Sequence, residues 1–406
     1  MVRLRREAAM KKEAKIEIKC WRSGRVLFAH EAENNTMRLT VEAAVKAGVD
    51  LAWADLDGVD LTGANLAGAK LAHANLDEAN LAGARLYGAD LTDANLECAN
   101  LTGASLDDTN LAGASLAWAD LTGANLVGAN LGGASLAIAN LARAILARAN
   151  LARANLTDAG LARANLARAD LAGANLSGAY LAGAYLDGVN LSEADLARAN
   201  LSGVSLGGAT LTEANLASTY LARANLVGVN LVGANLNGAY LAGANLARSY
   251  LIEASLAGAY LDGAGLACAD LAGANLACAD LAGANLGEAN LAGADLTWAN
   301  LDGASLDGGE KLTGRRPILQ VGPIGSASRY LIAYLTDRGL RLRSGCFFGS
   351  REQFEAKLAD THGDNAHAAE YRTALALIEA HERLWMPDEE ASNAAIAKTI
   401  GQEGEQ

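Results

Sequence analysis

The chain has 406 residues and a formal net charge of −13, and its five cysteines are scattered without metal-ligand spacing such as C-x-x-C. This pattern argues against a disulfide framework or a zinc site and indicates a reducing compartment. The basic first residues contain no apolar run, and no stretch of about 18 apolar residues occurs, so we expect neither a signal peptide nor a membrane-spanning helix. The composition therefore predicts a cytoplasmic protein.

Charge and pattern divide the chain into segments. Residues 1–48 carry a net charge of +5, residues 49–308 carry −16 and residues 309–406 carry −2. We predict an N-terminal cap of a β-hairpin and a helix, followed by a repeat domain over 49–308. An α+β module over 309–386 and a frayed tail over 387–406 complete the predicted domains.

The first predicted elements are a hairpin and a helix. Apolar and polar residues alternate over Ile16–Trp21 and Val26–His30, and Arg22-Ser23-Gly24 joins the two strands. Met37–Ala47 predicts a helix that begins at the N-cap Thr36. The apolar residues that we expect to cover the first repeats are Leu39, Val41, Ala44 and Val45.

The middle of the chain is a repeat of five residues. Leucine occupies every fifth position from Leu51 to Leu306, which makes 52 consecutive repeats. Two residues before each Leu stands Ala in 44 of the 52 repeats, and Asp or Asn stands between them in 34. Ala-x-Leu alternates like a strand and the next two residues suit a tight turn, so the chain should coil around an axis. Leu and Ala should face inward, and the other three positions outward.

Runs such as LAGANLACAD (residues 271–280) resemble the A(D/N)LXX pattern of the pentapeptide-repeat family over residues 49–308. The resemblance implies a mainly β fold, a right-handed quadrilateral β-solenoid in which four repeats make one coil. On that basis the 52 repeats form about 13 coils, and a spacing of roughly 4.8 Å gives a rod about 60 Å long. We expect outward Asn residues to form ladders between coils.

The C-terminal segment predicts a small α+β cap. The expected strands are Pro317–Gly322, Arg329–Thr336 and Leu340–Phe348. Ser350-Arg351-Glu352-Gln353 is a capping box that opens a helix to about Thr361, and a second helix runs from about Asn365 to Trp385. The segment resembles a module that follows pentapeptide repeats in some bacterial and phage proteins, a resemblance that implies no established activity.

The only candidates for a nucleophile or a metal site are Cys346, His362, Asp364 and His367. The alternative interpretation is structural, with Asp364 as a helix N-cap and Cys346 as a small buried apolar residue. We favour the structural interpretation, because no site geometry is defined. The sequence then predicts no catalytic, cofactor-binding or metal residue and no enzyme.

Five arginines stand two residues after a Leu and should face outward, and no Asp or Glu occurs from residue 121 to 157, which holds the first three of them. At 20 residues per coil, Arg143 lies beneath Arg163 and Arg148 beneath Arg168, which stacks like charges about 5 Å apart. This arginine collar could bind an anionic partner. The alternative, which we favour here, is a solvated surface produced by duplication of LARAN units. The collar comprises Arg143, Arg148, Arg153, Arg163 and Arg168.

Four tyrosines share one outward face at the same 20-residue spacing. This tyrosine row comprises Tyr180, Tyr220, Tyr240 and Tyr260, whereas Tyr185 and Tyr250 belong to other faces. Tyrosine is enriched at interfaces, so the row is a candidate contact surface. Stacking of the rings between coils is an equally good interpretation.

These features predict a non-catalytic scaffold or protein-interaction module that presents a rigid rod to another protein. No cofactor or membrane contact is expected, and the overall acidity disfavours direct nucleic-acid binding. Dimerisation through an end cap stays open. The first alternative is a DNA-mimicking modulator of a type II topoisomerase such as DNA gyrase, since some family members resemble duplex DNA in width and charge. The net −16 of residues 49–308 fits, but the chain lacks the projecting loops of quinolone-protection members. A second alternative is an activity in the C-terminal module.

Overall fold

The structure, a computed structural model, describes residues 13–314 and 317–385. The chain divides into two units, Met1–Leu241 and Ala242–Gln406. The tail that we predict over 387–406 lies outside the described residues. Among the helices that the structure describes, none is both long and apolar enough to cross a membrane.

Each repeat contributes one β-bridge residue and one tight turn. The residue between Ala and Leu pairs in parallel with the residue 20 positions later, as Asn75 does with Asn95 in the first unit and Asn275 does with Asp295 in the second. The N–H of Leu76 donates to the carbonyl of Asn95 at 2.7 Å, and the same bond recurs along the repeats. Four repeats therefore make one coil in each unit, and the fold is a mainly β solenoid.

The inward positions form the core of the first unit. Every repeat leucine from Leu51 to Leu241 is at most 1% exposed. Thr109 stands at an inward Ala position, and its hydroxyl donates to the carbonyl of Leu86 at 2.8 Å, so the buried polar group is satisfied. Asn130 Nδ2 donates to Asn110 Oδ1 at 2.9 Å. The predicted inward Leu and Ala and the predicted asparagine ladders are both confirmed.

The chain begins with the hairpin β1 (Glu13–Lys19) and β2 (Val26–Glu33), followed by the helix α1 (Met37–Lys46). The side chain of Thr36 caps α1 by accepting from the N–H of Leu39. The prediction that Leu39 covers the core is wrong, because its side chain is 38% exposed. The buried stripe of the helix runs instead through Thr40, Val41 and Ala44, which are one helical turn apart on one face.

A stack of rings joins the hairpin to the first repeats. Trp53 stacks on His73 with centroids 4.3 Å apart, and the guanidinium of Arg22 lies 4.6 Å above the Trp53 ring. Trp21 Nε1 donates to the carbonyl of His73 at 2.9 Å, and the N–H of Trp21 donates to the carbonyl of Trp53. The hairpin is therefore held by both backbone and side-chain contacts.

After its repeats, the second unit forms an antiparallel sheet in the order β3-β4-β5-β6, followed by two helices. The strands and helices are β3 (Ile318–Ile324), β4 (Arg329–Thr336), β5 (Gly339–Ser344), β6 (Phe347–Gly349), α2 (Arg351–His362) and α3 (Ala366–Trp385). The single strand predicted over Leu340–Phe348 is wrong. Gly345, at φ +58°, and Cys346 form a turn that separates β5 from β6. The predicted capping box of Ser350 and Gln353 is present at the start of α2.

Candidate interaction surface

The second residue after each Leu lies at a corner of the coil. In all 52 repeats this corner residue has a positive φ, and 25 of the 52 are not glycine. Glycine adopts this left-handed conformation freely, whereas an L-residue costs roughly 1–2 kcal/mol. A side chain at a corner therefore stands at a strained position and projects outward.

All five arginines of the collar are corner residues with φ between +58° and +61°, and all are exposed. The N–H of Arg143 donates to the carbonyl of Ala162 at 2.9 Å, and that of Arg148 to the carbonyl of Ala167 at 3.1 Å. These bonds place Arg163 one coil after Arg143, and Arg168 one coil after Arg148. The collar thus contains two stacked arginine pairs on adjacent corners, with Arg153 on a third.

Glycines surround the stacked pairs. The corner residues one coil before and one coil after each pair are Gly123, Gly183, Gly128 and Gly188. The Cγ of Arg163 lies 3.7 Å from the position that a Cβ on Gly183 would occupy, and the Cγ of Arg168 lies 3.6 Å from the corresponding position on Gly188. Each of these two side chains therefore extends over the bare corner of the following coil.

The charge of the collar is not compensated by nearby carboxylates. Within the stretches that the structure describes, none of the five arginines forms an ion pair. Asp170 accepts hydrogen bonds from the N–H of Ala172 and from Asn190 Nδ2. Asp187 accepts from the Ser205 hydroxyl at 2.6 Å and the N–H of Gly207 at 2.9 Å. These two carboxylates are thus held by other groups, whereas the carboxylate of Asp158, an exposed corner residue, extends over the glycine corner Gly178.

The tyrosine row of the first unit is interrupted. The bridges run from Tyr180 through Asn200 and Tyr220 to Tyr240, so one asparagine separates the first tyrosine from the other two. Tyr220 and Tyr240 stack with centroids 4.8 Å apart and planes 5° apart. Tyr260 belongs to the second unit and is 46% exposed. Stacking thus occupies one face of Tyr220, whereas Tyr180 has no tyrosine in the next coil.

Tyr185 belongs to this surface, although the sequence reasoning set it aside as lying on another face. Its side chain is 57% exposed, on the face between the two stacked arginine pairs. Gly183 and Gly188 lie on either side of it in the sequence and leave it protruding. The signal that would have found it is this pair of glycines, each 20 residues after an arginine.

Of the four reactive candidates, Asp364, His362 and His367 contact neighbouring side chains. Cys346 is exposed, so its assignment as a buried apolar residue is wrong.

Asp364 is not the cap of α3. Its carboxylate pairs with Arg372 at 2.7 Å, and Asn365 Oδ1 accepts from the N–H of Ala368 at 3.0 Å. Capping needs a side chain three residues before the donor, and Asn365 holds that place. The rings of the other two candidates, His362 and His367, lie 5.9 Å apart. The described residues contain no group of three or more His, Cys, Asp or Glu that could hold a metal ion.

Comparisons with known proteins agree with the repeat geometry. A family model described as pentapeptide repeats matches segments between residues 47 and 308. Among solved structures, the chain is similar to HetL, a pentapeptide repeat protein involved in heterocyst differentiation regulation from the cyanobacterium Nostoc sp. strain PCC 7120. The identity is 36%, the match covers 57% of this chain and 91% of HetL, and the TM-score is 0.24.

Two further solved structures are similar at lower identity. One is AT2G44920, a pentapeptide repeat protein from the Arabidopsis thaliana thylakoid lumen, at 24% identity over 26% of this chain and 69% of that one, with a TM-score of 0.21. The other is full-length QnrB1, a plasmid-mediated fluoroquinolone resistance protein, at 18% identity over 50% of this chain and 92% of that one, with a TM-score of 0.19. Among curated proteins, no sequence matches the chain closely enough to count as a relative.

Proposed function

Because the chain belongs to the family of pentapeptide-repeat proteins, we propose that it is a non-catalytic scaffold that presents rows of outward side chains to another protein. The observation that carries this proposal is the arginine collar, in which five exposed cations have no ion-pair partner among the described residues. An anionic partner would supply the missing charge. The coil-to-coil hydrogen bonds hold the corners in place, so little ordering is needed on binding.

Hydrogen bonds and ion pairs at the ends support the proposal that the repeats contact the partner and the flanking segments close the solenoid. The N–H of Asp55 donates to the carbonyl of Lys19 at 2.7 Å, so the hairpin continues the hydrogen bonding of the first repeats. In the second unit, Arg343 pairs with Asp307 at 2.6 Å and Arg341 pairs with Glu310 at 2.8 Å. We propose that residues 1–48 and 309–386 act as end caps, which prevent pairing at the open sheet edges.

A direct test compares two variants of the full chain. In one, Arg143, Arg148, Arg163 and Arg168 become Gln; in the matched control, Arg198 and Arg223, which are exposed corner arginines outside the collar, become Gln. Proteins recovered from the cell of origin with each chain are identified, and binding is then repeated with the purified partner. We expect direct binding that the collar variant loses and the control keeps. Equal binding by both variants would reject the collar as the contact surface.

The second candidate function is modulation of a type II topoisomerase such as DNA gyrase. The observation in its favour is the net charge of −16 over residues 49–308, which is compatible with imitation of duplex DNA. The arginine collar interrupts that acidic surface and counts against it. A supercoiling assay with purified gyrase separates the candidates, because unchanged activity at micromolar protein removes this one.

A further inference from the structure

The arginine collar and the tyrosine row meet in one coil of the first unit. Gly183 is the corner residue between Tyr180 and Tyr185, and the Arg163 side chain extends over it from the preceding coil. Arg168 extends in the same way over Gly188, on the other side of Tyr185. Two guanidinium groups and two phenol rings therefore alternate across two adjacent faces.

The four side chains of this junction are free to meet a ligand. Tyr180 and Tyr185 are 50% and 57% exposed, and both arginines are exposed. Where the structure describes the chain, neither arginine forms an ion pair and neither lies over an aromatic ring. The glycine corners on either side of Tyr185 carry no side chain of their own, and the arginine stems of the preceding coil lie against them.

Arginine and tyrosine are the residues that most often dominate protein–protein binding energy. A guanidinium group binds a carboxylate with two parallel hydrogen bonds, and a tyrosine ring offers apolar contact at a low cost in side-chain entropy. A set of two arginines around two tyrosines therefore suits carboxylates that flank an apolar side chain.

We propose that Arg163, Arg168, Tyr180 and Tyr185 form the anchor of the interface and bind an acidic segment of a partner protein. Aspartate or glutamate carboxylates of that segment would pair with the two guanidinium groups, and an apolar side chain between them would lie against Tyr185. The inference rests on the proposed scaffold function and specifies the chemistry of its partner.

The extent of the charge favours a protein segment over a nucleic acid. Each stacked pair spans two coils, or about 5 Å between neighbouring arginines, whereas a single-stranded nucleic acid follows a continuous basic groove over several nucleotides. The corners before and after the pairs are uncharged glycines, and the repeats as a whole carry −16. A longer phosphate chain would leave the cations and run onto an acidic surface.

The experiment measures fluorescence anisotropy of a labelled peptide that has glutamates on both sides of one phenylalanine, with the full chain and at low salt. The anchor variants are R163E together with R168E, and Y185A. Glutamate is compatible with a corner, since Glu193 already adopts φ +59°. The matched controls are R198E together with R223E at exposed corners, and Y87A, whose side chain is also 57% exposed.

We expect the double charge reversal to weaken peptide binding at least about tenfold and Y185A to weaken it about fivefold. The controls should bind like the unaltered chain, and added salt should weaken binding in the unaltered chain. A glutamine version of the peptide should not bind. Circular dichroism verifies folding, and R163Q with R168Q replaces the charge reversal if that variant does not fold.

Three outcomes would overturn the anchor: no peptide binding at low salt, equal loss in anchor and control variants, or tighter binding of oligothymidylate than of the peptide. These outcomes are distinct from failure of the scaffold itself. A partner that still binds the chain carrying R163E and R168E would reject the anchor and leave the scaffold function standing. Absence of any direct partner would reject the scaffold.

Discussion

Two exposed isoleucines allow the backbone strain at the corners to be measured. Ile138 is a corner residue at φ +61°, whereas Ile145 is a bridge residue outside the left-handed region, and both are 41% exposed. Replacement by Ala removes nearly the same side chain at each site. A further change from Ala to Gly then isolates the backbone preference, because it deletes only one methyl group.

The expected effect has opposite signs at the two sites. At Ile138, glycine relieves left-handed strain of about 1–2 kcal/mol and adds about 0.5–1 kcal/mol of chain entropy to the unfolded state. I138G should therefore be more stable than I138A by about 0.5–1 kcal/mol. At Ile145 no strain is relieved, so I145G should be less stable than I145A by about 0.5–1 kcal/mol.

The measurement is the guanidinium chloride concentration at which half of each of the four variants is unfolded. These midpoints are compared only where the slopes of the unfolding transitions agree, since long repeat arrays depart from two-state unfolding. Hydrogen exchange of the neighbouring amides gives an independent value for the local free energy of opening. If the glycine variant is more stable than the alanine variant at both sites, or less stable at both, corner strain is not the dominant backbone contribution.

Further changes test the core, the ends and the collar. Leu166→Asp should lower the free energy of unfolding by more than about 5 kcal/mol, because it removes a fully buried leucine and buries a carboxyl group. The control Asn165→Asp keeps the acceptor for the N–H of Ala167 and should change the free energy of unfolding in urea by less than about 0.5 kcal/mol. Trp53→Ala should lower the stability of the N-terminal hairpin by about 2 kcal/mol, seen as faster hydrogen exchange in β1 and β2. Burial raises the pKa of Tyr334 to about 12 from an ordinary value of 10.0, so stability should be full below pH 10 and fall by about 2–3 kcal/mol as pH approaches 12; Tyr334→Phe should remove this slope from unfolding measured against pH. Arg163→Gln should raise the free energy of unfolding by about 0.3–0.5 kcal/mol in urea unfolding, because it removes one of two stacked like charges.

The structure of the repeats could be predicted from the sequence because every five-residue unit packs against units of the same kind. An inward Leu or Ala meets the same kind of neighbour in every coil of the first unit, so Leu51 and Leu216 share one burial and one hydrogen-bond pattern. At the ends each residue has a different environment, and local patterns are ambiguous there. Leu39 lies beside the buried stripe of α1 rather than within it, and Gly345 breaks a strand that alternation alone would continue.

Only part of the candidate surface could be predicted from the sequence. The 20-residue spacing places Arg163 next to Arg143, and the backbone hydrogen bonds agree with that placement. The relation of Arg163 to Tyr185 needs one more step, because it appears only when the glycines 20 residues after Arg163 and Arg168 are seen to flank Tyr185.

The collar is unusual among the charged groups of the chain because it combines strain with repulsion. Where His73 stacks beside Asp93 in a corner column, the nitrogen and oxygen lie 3.8 Å apart, and Arg343 in the second unit has its carboxylate at 2.6 Å. Each collar arginine likewise occupies a left-handed corner, but four of them lie one coil from another arginine and form no ion pair among the described residues. Glycine at these positions would remove both unfavourable terms, as it does at the corners on either side. Under the proposed function, an acidic partner would offset the repulsion between the stacked arginines, whereas the backbone strain at the corners would stay.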